Sequence, residues 1–207
     1  GEFEFKAGPV FTQLLLVDEI NRSPAKTQAA LFEVMEERQV SIDGKRYPME
    51  EPYMVLATQN PVEQEGTYRL PEAQLDRFLF KVKMEYPNDA EEFDILKLHL
   101  GFKTGDDQQV EQVLSSADII ELRKVAEEIH VEEDMLKYIA AITNATRNNG
   151  SLYLGASPRA SIALLKAARA FAALQNRDFV SPEDIRFLAA PVLAHRVILS
   201  PEQEMEG

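Results

Sequence analysis

The chain has 207 residues, 45% hydrophobic and 28% charged, with a net charge of −13 and no cysteine. That length can bury a full core as one large or two small domains, while the absent cysteines exclude disulfides and thiolate metal sites and, with no signal or transit peptide, fit a cytoplasmic protein. The acidic balance repels phosphate backbones and disfavours a dedicated nucleic-acid module, and no apolar run approaches the ~20 residues needed to span a membrane.

In "LLLVDEINR" four apolar residues, Leu14–Val17, run directly into two adjacent carboxylates, Asp18 and Glu19. An unbroken apolar run reads as a strand covered on both faces, as in the parallel sheet of an α/β domain. Such sheets collect ligands at the carboxyl ends of their strands. There one acid can hold magnesium through water while its neighbour orients or activates an attacking water; the same letters also fit a strand followed by an acidic helix cap. "NRSPAKTQAALFEVMEE" predicts a helix with Ser23 as N-cap and Pro24 at its first position, its apolar face made by Ala25, Ala29, Phe32 and Met35. In "RQVSIDGKRYPM", Asp43-Gly44 centres a tight turn, which predicts a β-hairpin with Val40 opposite Tyr47. Arg38, Lys45 and Arg46 make the hairpin basic, and Pro48 suits an edge position. Residues 53–58 predict a second buried strand that delivers Gln59 and Asn60 to the same kind of edge. A short helix with Pro71 and Glu72 in its first turn follows, then a third strand at residues 78–82, with Arg77 where helix gives way to strand.

Pro87, in "YPND", marks the boundary between a first domain, residues 1–87, and a second, residues 88–207, which reads as all helical from Ala90 to Glu206. Phe93, Leu96 and Leu100 stripe its first helix, Ile119, Leu122, Ala126 and Ile129 the second, and Leu136, Ile139 and Thr143 the third. "GFKTGDDQQVEQV" reads as a loop. Ser157 caps a further helix with Pro158 in its first turn, and Ser181, Pro182 and Asp184 open the last with a capping-box-like sequence. His99, His130 and His195 lack metal-ligand spacing and read as surface or helix-packing residues. The architecture expected is half of a parallel sheet followed by a small helical bundle.

"VDEINRSPAKTQAALFEVMEERQVSIDG", then "ATQNP" and "EGTYRLPEAQLDRF", resemble the MoxR family of AAA+ ATPases in identity, order and spacing, and "GASPRA" extends the resemblance toward the C-terminus. The resemblance implies a partial AAA+ parallel-sheet core with a hairpin insertion and an all-α lid. It implies ATP and magnesium as ligands, with Asp18 as the Walker B acid that positions magnesium and Glu19 as the glutamate that activates water. Asn60 matches the sensor-one position, Arg77 in "LDRF" resembles an arginine finger serving a neighbouring subunit, and Arg159 in "SPRA" resembles a sensor-two arginine reaching the phosphates of its own subunit. Arginine suits phosphate because its planar fork makes paired hydrogen bonds, and a well-placed finger can supply ~10³ to 10⁵ in rate. Taken singly, Arg77 equally fits a pair with Asp76 or a nearby glutamate, Asn60 a cap on the turn before Pro61, and Arg159 a solvated first-turn residue. Gln64, Glu65, Arg69 and Glu72 fall in the segment that family subunits place near their interface, and equally suit an exposed loop.

Nothing in the chain matches G-x-x-x-x-G-K-[ST], the loop that cradles nucleotide phosphates. The chain therefore reads as the later part of an ATPase core plus its lid, expected by itself to bind nucleotide weakly, to hydrolyse it negligibly, and to expose apolar surface that makes it aggregation-prone or dependent on a partner. The resemblance points to a ring, a hexamer, that remodels or matures protein complexes, with partners that include von Willebrand A domains. Two other functions fit parts of the chain: a nucleic-acid motor with Arg38, Lys45 and Arg46 lining a pore, and a non-catalytic scaffold. The acidic total speaks against the first, and the joint presence of Glu19, Asn60, Arg77 and Arg159 against the second.

Overall fold

A computed structural model describes residues 5–60, 68, 70–101 and 111–206. They fall into two compact units, one from residues 1–81 and 116–207, the other from residues 82–115.

The first unit begins with β1 (Leu14–Val17), α1 (Ala25–Glu37), the hairpin strands β2 (Gln39–Ile42) and β3 (Lys45–Pro48), β4 (Met54–Ala57) and the single turn α2 (Glu72–Leu75). β1 and β4 pair in parallel, Leu14 opposite Met54 and Val17 opposite Ala57, as the two apolar runs predict. Because side chains alternate along a strand, Leu15 and Val55 enter a core with Val34, Met49 and Tyr53, whereas Leu14, Leu16, Met54 and Leu56 stay exposed. Burial on both faces is thus realised on one only: among the described residues nothing covers the outer face. The hairpin forms in the expected register, Val40 opposite Tyr47, with Asp43 and Gly44 both at positive φ. Phe5 stacks on Tyr47 with ring centroids 3.8 Å apart.

α1 differs from expectation in its start and its buried face. Pro24, not Ser23, is the capping residue; its extended ψ of 151° keeps it outside the helix, its carbonyl accepts from Thr27 and Gln28, and no side chain closes the cap. Ala25 and Ala29 are exposed, and the buried positions are Gln28, Phe32 and Val34. Phe32 joins Ile20 and Leu70 in a second small core, with Val17, Met35, Ala57 and Phe78 packed against it.

The second unit contains α3 (Asp89–Gly101). Asn88 caps it reciprocally: its Oδ1 accepts from the Ala90 and Glu91 amides at 3.0 and 3.1 Å, and the Glu91 carboxylate accepts from the Asn88 amide at 2.9 Å. Phe93, Leu96 and Leu100, the predicted stripe, are exposed. The loop predicted after it lies mostly outside the described residues.

The remaining elements are α4 (Ser116–Glu128), α5 (Glu133–Arg147), β5 (Leu152–Leu154), α6 (Pro158–Leu174), α7 (Pro182–Leu193), β6 (Ile198–Leu199) and α8 (Pro201–Glu206), all in the first unit. α6 buries Ala160, Ala163, Ala167 and Ala168 around Leu164, small residues that let Ile139, Ile185, Leu188 and Val192 approach closely. Ile129, Ile139 and Thr143 are buried as predicted, but Leu122 and Leu136 are exposed. Both predicted caps form: Ser157 accepts from the Arg159 amide, and Ser181 and Asp184 make a full capping box.

Residues 78–82 are not the third strand the sequence suggests. Their backbone groups are taken by residues more than a hundred positions away. The Phe78 carbonyl accepts from Arg196 Nη2 at 2.7 Å and from His195 Nε2 at 2.8 Å, the Leu79 carbonyl accepts from Arg196 Nη1 at 3.2 Å, and the Lys81 amide donates to the Pro191 carbonyl at 2.9 Å. Carbonyls satisfied this way have no need of a neighbouring strand. Arg196 Nε also pairs with Asp76 Oδ1 at 2.9 Å, Nη2 donates to the Asp76 carbonyl at 3.0 Å, and Nη1 donates to the Val192 carbonyl. The Arg196 side chain is 2% exposed.

Removing one partner of a buried pair leaves the other charge uncompensated, so Arg196→Met should cost roughly 3–5 kcal/mol, read as a lower denaturant midpoint; an unmoved midpoint would mean that water reaches Asp76 and the freed carbonyls. His195 is held below its ordinary value of 6.5, first by burial, then by Arg196 and Lys81, against the Phe78 bond and Asp76. As pH falls below about 6.5 the unfolded chain takes up this proton and the folded chain does not, so stability falls with pH in that window. His195→Gln should flatten that part of the stability–pH curve, and an unchanged slope would assign the loss to other groups.

Candidate functional site

The register of the parallel pair continues one residue past each strand, and this positions the acids. The Thr58 amide donates to the Val17 carbonyl and the Ile20 amide to the Thr58 carbonyl, each at 3.0 Å. Thr58 therefore lies beside Asp18, and its hydroxyl serves two neighbours, donating to Asp18 Oδ1 at 2.5 Å and accepting from the Glu19 amide at 2.8 Å. Glu19 adopts a left-handed conformation, φ 47° and ψ 54°, that turns the chain out of the strand into a short 3₁₀ turn at Ile20–Arg22. Its carboxylate pairs with Arg22 Nε at 2.9 Å. Asn21 Nδ2 reaches the Asn60 carbonyl at 3.5 Å, and Gln28, buried in the first turns of α1, donates to the Ile20 and Tyr68 carbonyls at 3.3 and 3.5 Å. Asp18, Glu19 and Asn60 thus share the carboxyl edge of one parallel pair. Gln64, Glu65 and Arg69 lie outside the described residues, and Glu72 opens the exposed turn α2.

The two arginines meet elsewhere. Arg77 Nη2 and Arg159 Nη2 each donate to Glu36, to Oε2 and Oε1 respectively, both at 2.7 Å. Arg77 also lies over the Phe32 ring, 6.0 Å from its centroid. A second link runs through the residue before Arg77, because Ser157 Oγ donates to the Asp76 carboxylate (Oδ2) at 2.7 Å while accepting from the Arg159 amide at 3.1 Å. Glu36 lies eight residues beyond Gln28 on α1, roughly 12 Å along the helix axis at 1.5 Å per residue. The acids and the arginines consequently occupy opposite ends of α1.

Two family models match the chain: that of the ATPase family associated with various cellular activities (AAA) over residues 1–80, and that of the AAA lid domain over residues 144–207. The chain is 48% identical over 206 residues to the protein YeaC of Bacillus subtilis, covering 100% of this chain and 64% of YeaC. It is 44% identical over 208 residues to chaperone MoxR1 of Mycobacterium tuberculosis, covering 96% of this chain and 54% of that protein. The chain belongs to the MoxR family of AAA+ ATPases. A crystal structure of a protein from Cytophaga hutchinsonii matches it with a TM-score of 0.91 and 44% identity, over 100% of this chain and 65% of that one. The chain thus spans between about half and two thirds of the length of these relatives. Among the described residues no helix is long and apolar enough to cross a membrane.

Thr58 and Glu36 carry no mark in the sequence that sets them apart. Thr58 was legible only as the last residue of a strand, although aligning the two apolar runs puts a hydroxyl next to the first acid. Glu36 sits in "MEE" at the end of a helix, where acids are commonplace. Thr58→Val removes both hydroxyl bonds at a solvent-exposed edge and should cost about 1 kcal/mol, read as a shift in denaturant midpoint at unchanged slope; no shift would mean that water replaces the hydroxyl without loss.

Proposed function

We propose that this chain forms the acid edge and the lid of a MoxR-like ATPase that binds and hydrolyses ATP with magnesium, with residues 1–87 as the core portion and residues 88–207 as the lid. The observation that most supports this is the pair of adjacent acids at the carboxyl edge of the β1–β4 parallel pair, with the Thr58 hydroxyl bonded to the Asp18 carboxylate and the Glu19 amide and the Asn60 carbonyl reached by Asn21. Ligands of open α/β sheets gather at that edge.

Asp18 suits magnesium, which takes one or two carboxylates and completes its shell with water and phosphate oxygens rather than with an all-protein cage. Asp18 is exposed, with one oxygen oriented by Thr58 and room for water and phosphate oxygens beside it. When bound, magnesium neutralises charge on the phosphates. Glu19 acts as the base toward the attacking water. Its ion pair with Arg22 is partly exposed to solvent, and surface pairs of this kind are worth ~1 kcal/mol or less. Asn60 orients the same water. Arg77 acts on the nucleotide of a neighbouring subunit, which makes a ring, a hexamer by family resemblance, part of the mechanism. ATP turnover then drives chaperone-like remodelling or maturation of protein complexes in the cytoplasm, with von Willebrand A domains as client partners by the same resemblance. A nucleic-acid motor is less well supported: of its three basic hairpin residues, Arg38 is already paired with Glu51 at 2.6 Å.

In the full-length protein, Glu19→Gln should lower ATP turnover by ~10² to 10⁴ and Arg77→Ala by ~10³ to 10⁵, both with nucleotide affinity retained. Mixing the two inactive variants should restore part of the activity, because an intact Glu19 then meets an intact Arg77 across a subunit boundary. Wild-type turnover by Glu19→Gln would remove it as the base, and mixtures that stay inactive would place Arg77 outside a neighbour's site.

A further inference from the structure

We infer that Glu36 is a positioning residue that holds Arg77 and Arg159 as a single two-arginine clamp for a phosphate group. This rests on the proposed role of Arg77. Family resemblance divides the two arginines between two nucleotides, one in the neighbour and one in the chain's own subunit. The geometry joins them instead. One carboxylate receives both guanidinium groups, one on each oxygen, at 2.7 Å. Two cations brought this close repel one another, and the carboxylate between them offsets that repulsion while fixing the angle between the two forks.

The arrangement is closed at both ends. At the tips, Glu36 bridges the guanidinium groups. At the bases, Asp76, the residue before Arg77, accepts from Ser157, whose hydroxyl also caps the helix that carries Arg159. Asp76 is itself fixed by the buried Arg196. Neither arginine can shift without moving the other or breaking one of these bonds. The clamp retains a net positive charge, two cations against one carboxylate, so it still attracts phosphate. Its position two turns along α1 from Gln28 separates it from the acid edge of its own chain.

The test is steady-state ATPase kinetics of the full-length protein carrying Glu36→Gln, Glu36→Asp, Arg159→Ala and the Glu36→Gln/Arg159→Ala double variant, with Glu19→Gln and Arg77→Ala as controls. Glu36→Gln keeps the size and shape of the side chain, and should lower kcat roughly 10- to 100-fold, the loss expected of a misplaced catalytic group, with KM within about twofold of wild type. Glu36→Asp keeps the charge but withdraws it by one methylene, and should recover only part of the rate. The double variant should lose less than the product of the two single losses, because both act through one clamp. Wild-type kcat in Glu36→Gln, full activity in Glu36→Asp, or losses that multiply would each overturn the inference. Wild-type turnover in Arg77→Ala is a separate result that would remove the underlying role of Arg77.

Discussion

A guanidinium buried to 2% exposure, that of Arg196, holds the first unit of this protein together. It reaches across from just beyond α7 to the segment that follows α2 and takes up the carbonyls of Asp76, Phe78 and Leu79 together with the Asp76 carboxylate. Burying such a charge is tolerable only when its donors are met, and here they are met largely by backbone. The helices after residue 115 are thereby tied to the segment that carries Arg77. The backbone on either side of Arg77 is thus held by contacts made more than a hundred residues later in sequence, while its side chain is held by Glu36.

The polar groups of the unit fall into two clusters. Parallel pairing of β1 and β4 gathers acids and a hydroxyl at one end of α1, and the 76–79 segment with the α6 cap gathers cations at the other. A subunit built this way offers an acidic edge at one place and a basic pair at another.

Much of this was readable residue by residue. The hairpin followed from Asp43-Gly44, the parallel pair from two apolar runs, and the α6 and α7 starts from Ser157 and Ser181, because each is decided by local chemistry. The misreadings have one physical cause. "FLFKV" has the composition of a strand, but strand formation depends on a partner's free backbone groups, and here the carbonyls are claimed by His195 and Arg196. Likewise Ala25 and Ala29 keep helical spacing with Phe32, yet which face is buried depends on the sheet against which α1 packs. Of the candidate site, Asp18, Glu19, Asn60, Arg77 and Arg159 were named from motif and order. That the last two share Glu36 required three segments distant in sequence to converge, and no local pattern reports that.

The left-handed backbone of Glu19 has a consequence for how this edge is inherited. Glycine and asparagine accept that conformation with little strain, whereas an ordinary side chain held there costs about 1 kcal/mol or more. Stability alone would steadily favour a smaller or amide-bearing residue at this position. A long carboxylate at φ 47° is therefore a departure from that preference, and the fold carries it where the chain leaves the β1–β4 pair.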